Sequence, residues 1–170
     1  MAAAHPGLYR LATVAAMLAS MLMVPAALGV KRLVADRSPG LAFIGTVLTA
    51  GGYICYFGIA LSGITDVAMA EHGGPVQDYA IVLDNSQSDA STLWVFLLFV
   101  LGNLVGTLLL GLVLLRSRRV PLWTAAAVLA WPPLHLTGLV VGSEWFEVAG
   151  AALQAVGLTA TGSRLLTAPR

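Results

Sequence analysis

With 170 residues, 58% of them hydrophobic and only 10% charged, the chain sits far from a soluble domain, for which about 45–50% apolar and 25% charged is usual. A formal net charge of +1 without a long basic run argues against a nucleic-acid partner. A single cysteine, Cys55, excludes an intrachain disulfide and a cysteine-rich metal site.

A helix needs roughly 20 apolar residues to cross the hydrocarbon core of a bilayer. Five stretches meet that length, at about 8–30, 41–64, 93–115, 120–142 and 145–165, so the expected fold class is all-α, an integral membrane helical bundle forming one domain over 1–170. The first stretch is longer than a signal-peptide core of about 7–15 residues and runs straight into Lys31-Arg32, which reads as a stop rather than a cleavage site. Residues 36–40 then make a tight turn, with Pro39 and Gly40 as breakers. After the second stretch comes the longest connection, an acidic loop over 65–91 carrying Asp66, Glu71, Asp78, Asp84 and Asp89. Gly73-Gly74-Pro75 marks a turn in it, Ile81-Val82-Leu83 would rest on the membrane surface or the bundle, and Ser91 would cap the third span. Arg116 to Pro121 joins the third and fourth spans, with Pro121 in a first helical turn. The fifth stretch is diluted by Gln154, Thr159 and Thr161, yet without it Arg164 and Arg170 would be stranded among the acids.

The charges alternate from one connection to the next. Lys31, Arg32 and Arg37 follow the first stretch, Arg116, Arg118 and Arg119 the third, and Arg164 and Arg170 the fifth, whereas the other connections hold acids and no Lys or Arg. Basic residues are retained on the cytoplasmic side, so this alternation predicts five transmembrane helices with the N-terminus out and the C-terminus in. Arg10 is the one basic residue on the outer side, and a sixth span missing at the N-terminus would account for that start equally well. Tyr9, Trp94, Trp145 and Phe146 fall at the outer interface and Trp123 at the inner one.

Polar groups at membrane depth cost free energy unless they are paired or face a cavity. The third stretch places Asn103 near the midplane, one turn from Thr107 and beside Gly102 and Gly106. The fourth carries His135, then Gly138 and Gly142. The fifth lines up Glu147, Gly150, Gln154, Gly157 and Thr161 on one face. The bland reading is helix packing, in which Gly102, Gly106, Gly138, Gly142, Gly150 and Gly157 permit close approach and Asn, Gln and His bridge helices. The sharper reading is a polar pocket opening outward. At about 1.5 Å per residue, His135 and Gln154 lie about 10–13 Å below the outer boundary with Asn103 deeper, and Glu147 and Asp66 would form the mouth. Pro132 and Pro133 interrupt the fourth span just before His135, removing two backbone donors and kinking the helix.

Familiar catalytic and cofactor chemistry is not indicated. Buried bis-histidine haem ligation needs two membrane-depth histidines and only His135 qualifies; neither HExxH nor GxSxG occurs; residues 84–89 lack the glycine and terminal glutamate of an EF-hand. No metal and no cofactor is expected. Tyr53, Cys55 and Tyr56 read as ordinary packing residues.

The run Leu101-Gly102-Asn103 through Leu114-Leu115-Arg116-Ser117-Arg118-Arg119-Val120-Pro121-Leu122-Trp123, followed by Pro133-Leu134-His135-Leu136, resembles small multi-pass proteins of unknown function from high-GC Gram-positive bacteria. The resemblance covers the third to fifth spans and, more loosely, the first two. It implies an inner-membrane location and no known activity, and such proteins often have six spans. The expectation is a non-catalytic accessory or interaction protein whose partners are the lipid bilayer and a membrane protein or a second copy of itself. Small-molecule or ion binding or transport around His135 is the alternative.

Overall fold

The computed structural model describes residues 5–167, and no strand occurs among them. Arg170 lies outside the described residues. The helices are α1 (Pro6–Val34), α2 (Pro39–His72), α3 (Val76–Ser88), α4 (Ala90–Val100), α5 (Thr107–Ser117), α6 (Leu122–Leu129), α7 (Trp131–Val141) and α8 (Glu144–Thr167), with a π-helical segment, Leu101–Gly106, joining α4 to α5. Four helical rods are long and apolar enough to cross a membrane: Pro6–Val34, Pro39–His72, Ala90–Ser117 and Leu122–Val141. At 24 residues, α8 spans about 36 Å and matches them in length. Its composition does not qualify, because Glu144, Glu147, Gln154 and Arg164 dilute its apolar residues.

The connection at 65–91 is helical rather than a loop. No breaker interrupts residues 65–72, so the backbone ladder of α2 runs on past its apolar stretch to His72. Gly73 ends it at φ +70, a conformation that glycine adopts without steric cost. The helix α3 follows Pro75. Asp89, not Ser91, then caps α4, its carboxylate accepting the Ser91 backbone N–H at 2.8 Å. At the other end of the molecule, Pro121 precedes α6 as its cap residue.

The bundle is polar and small inside, apolar outside. Thr13, Ser20, Thr46, Thr49, Asn103, Thr107, Thr124, Gln154 and Thr161 are buried, while Leu, Ile, Val, Phe and Trp side chains cover the exposed faces of α1, α2, α4 and α7. Water would penalise such a surface; lipid would not. One apolar cluster anchors the basic end, where Ala27, Val30, Val34, Ala42, Leu110, Val113, Leu114, Val120, Ala125 and Val128 meet. Glycines set the closest approaches. A Cβ on Gly52 would lie 2.6 Å from the Gly102 Cα, and one on Gly106 would lie 2.6 Å from the Thr49 hydroxyl. The π-helical segment therefore touches α2 backbone to backbone.

Charged pairs tie the ends. Arg10 donates to Glu71 at 2.6 Å, and Tyr9 donates to Asp66 at 3.3 Å, joining the start of α1 to the end of α2. At the opposite end Arg119 pairs with Asp36, joining the α5–α6 turn to the α1–α2 turn. The Arg119 guanidinium holds the Asp36 carboxyl below its usual range, with Arg37 adding to the effect.

Candidate functional site

The π-helical segment puts one extra residue into its turn, so that Gly102 and Asn103, then Gly106 and Thr107, all face inward. Asn103 becomes the hub. Its Oδ1 accepts from the Tyr53 hydroxyl on α2 at 2.9 Å and from the Trp131 indole N–H on α7 at 2.8 Å. One turn on, Gln154 of α8 donates to the Thr107 hydroxyl at 3.4 Å, and Tyr53 also faces Gln154. Three helix–helix contacts are thus bridged by polar side chains that an apolar surrounding would penalise if unpaired.

Trp131 is aimed by the helix break. Ala130 stays near helical geometry (φ −68°, ψ −24°) and its N–H reaches the Ala126 carbonyl at 2.9 Å, but Pro132 and Pro133 have no N–H to give, so α6 ends and α7 restarts at Trp131. The Trp131 ring stacks on the His135 ring one turn later, centroids 4.9 Å apart and planes at 22°. His135 Nδ1 faces Glu147 Oε1 of α8 at 3.7 Å, too far for a hydrogen bond, and this buried nitrogen has no hydrogen-bond partner among the described residues. Tyr56, stacked on Phe99 at 4.6 Å, stands on the same side as Glu147.

Of the residues expected around a pocket, the structure joins Asn103, His135 and Glu147 in one chain running through Trp131, with Gln154 beside it on Thr107. Asp66 is elsewhere: its carboxylate accepts from Tyr9 on α1. The expected face of α8 is its buried one, with Gly150, Gln154, Gly157 and Thr161 turned inward and Glu147 half-buried. A Cβ on Gly150 would meet Trp131 at 3.0 Å, one on Gly157 the Thr124 carbonyl at 2.9 Å, and one on Gly138 the Glu147 Cγ at 3.0 Å. Gly142 is corrected. A Cβ built on it would meet nothing within 4 Å, and it instead closes α7 at φ +70, its N–H bonded to the Gly138 carbonyl. The segment between α7 and α8 is too short to turn without a left-handed residue, which explains the glycine.

The sequence marks Tyr53 as a packing residue and gives Trp131 no role. Both are the partners of Asn103. Their polar tips were the available signal, since a buried Tyr or Trp almost always finds a hydrogen-bond partner.

Residues 1–138 match the family described as Domain of unknown function (DUF4386), and the chain belongs to that family. No curated protein and no solved structure matches it.

Proposed function

We propose that this DUF4386 member is a non-catalytic accessory or interaction protein of the bacterial inner membrane, crossing it five times with the N-terminus outside and the C-terminus in the cytosol. The observation that carries this reading is the saturation of the Asn103 carbonyl oxygen, Oδ1, which takes both the Tyr53 and Trp131 donors. The side-chain carbonyl of Asn103 is thus used in holding α2, α4–α5 and α7 together, which leaves that oxygen no lone pair for a ligand.

The fifth crossing is supported by packing. The α8 stripe lies along α6 and α7 from Gly150 at Trp131 to Gly157 at Val128, and Leu165 reaches within 3.1 Å of a Cβ built on Gly29, close to Lys31. The far end of α8 thereby sits level with the basic end of α1. Arg10, the exception to the charge pattern, is neutralised by Glu71, which lowers the cost of leaving it outside. The presented surface on the acidic side is α3, with Ile81 and Val82 exposed and no basic residue.

Single cysteines in a Cys55→Ser background test the placement. Ser86→Cys reacts with an impermeant maleimide on intact cells, whereas Ala35→Cys and Leu166→Cys react only after the cells are opened. Labelling of Leu166→Cys from outside would reduce the crossings to four. A photoreactive residue at Ile81 tests the interaction reading: it should give a discrete protein adduct that the same probe at lipid-facing Leu22 does not. Lipid adducts alone at both positions would refute it.

One observation favours a second reading, ligand or ion handling at His135. Its Nδ1 is buried and unpaired beside Glu147. His135→Leu separates the two, since an accessory bundle tolerates it and a binding site does not.

A further inference from the structure

The basic end carries a groove that the accessory reading does not use. Leu115, Arg116, Arg118, Val120, Leu122 and Ala125 line an open groove of about 670 Å³ between the end of α5 and the start of α6. Two guanidiniums stand over an apolar wall. Neither has a carboxylate partner among the described residues, and Asp36, the one acid at this end among them, is already held by Arg119 and Arg37. Arg118 ends α5 in the left-handed conformation, at φ 52, which turns the chain from α5 into the α5–α6 connection.

A ligand that fits must be anionic at the arginines and apolar along Leu115, Val120 and Leu122. We propose that this groove binds one anionic phospholipid of the inner leaflet, its headgroup phosphate between Arg116 and Arg118 and an acyl chain along Leu122. The phosphate offers several acceptor oxygens to two planar donor forks, and the groove is continuous with the lipid-facing surface, since Leu122 is 70% exposed. Basic pockets on the cytoplasmic side of membrane bundles recognise anionic headgroups by this same combination. The assignment rests on the membrane orientation proposed above.

The test uses the full chain in a neutral detergent, titrated with phosphatidylglycerol or phosphatidylcholine and read by native mass spectrometry. Phosphatidylglycerol should bind roughly 25-fold more tightly, about fivefold for each arginine. Arg116→Gln with Arg118→Gln should abolish that preference, while Lys31→Gln with Arg32→Gln, which removes equal charge at the same end, should preserve it. Leu122→Ser, at an exposed position that folding tolerates, should weaken phosphatidylglycerol binding and serves if the arginine variant fails to fold. Equal affinity for both lipids, an equal loss from the Lys31/Arg32 variant, or displacement of the lipid by inorganic phosphate would each overturn the site. A chain that stays monodisperse without detergent would instead refute the membrane reading itself.

Discussion

Replacing Asn103 by leucine tests the hub. Leucine keeps the branch at Cγ but is bulkier. The change removes the acceptor of two interhelical hydrogen bonds, from Tyr53 at 2.9 Å and Trp131 at 2.8 Å, and adds an overpacking cost at this buried site. Interhelical hydrogen bonds in membrane bundles average about 0.6 kcal/mol and reach about 1.7, so two together give about 1.2–3.4 kcal/mol. That corresponds to a fall of roughly tenfold to a few hundredfold in the folding equilibrium. The assay is denaturant unfolding of the full chain in detergent, followed by tryptophan fluorescence, in which Trp131 reports directly on its lost partner. Tyr53→Phe removes one of the two bonds and should cost about half of that hydrogen-bond contribution. The double variant should then fall short of the sum of the single ones, because the Tyr53 bond is already gone. If Asn103→Leu unfolds within about 0.3 kcal/mol of the parent, and the Tyr53→Phe effect is undiminished beside it, the network does not hold the helices together and the argument fails.

Other expectations follow from single contacts. Gly106→Ala places a Cβ 2.6 Å from the Thr49 hydroxyl and 2.7 Å from its backbone nitrogen, and should destabilise by about 1–3 kcal/mol, whereas Gly58→Ala, with nothing within 4 Å, should be neutral or mildly stabilising; melting in detergent compares the two. Gly142→Ala has open space around it yet must hold φ +70, so it should cost about 1 kcal/mol by strain alone, read as a lower melting temperature. Asp36 titrates below its ordinary value of 3.8 because Arg119 holds its charged form. Its pair therefore contributes stability above that value and loses it as the pH falls through the lower folded one. A melting series in acid should flatten in Asp36→Asn, and because the pair is exposed the effect should shrink with added salt.

Much of the site lay open to reading in one dimension. Gly102 and Gly106 stand four apart on one helical face, as close approach requires; the Gly150, Gln154, Gly157 stripe follows the helical period and is the buried face of α8; Pro132-Pro133 fall inside an apolar stretch and interrupt its helix. Asp66 was misplaced because a carboxylate at a helix end carries no record of which neighbour it meets, and Tyr9 on α1 reaches it first. The helical 65–91 segment was missed because hydropathy ends at Ile64 while the hydrogen-bond ladder does not: acids and alanines continue a helix into water as readily as leucines build one in lipid.

By itself the sequence determined the helical class, four apolar rods among the five spans it predicted, and the separation of basic from acidic ends. Each of these depends on sums along the chain, the free energy of moving a run of side chains between water and lipid, which needs no knowledge of partners. The tertiary structure alone decided that Asn103 takes Tyr53 and Trp131, that Arg10 is answered by Glu71, and that Arg116 and Arg118 share a groove while Asp36 goes to Arg119. Those pairings depend on how far each helix is rotated and slid against its neighbours. Glycine contacts such as Gly52 on Gly102, and the extra residue in the π-helical segment, set that rotation only once the helices have met.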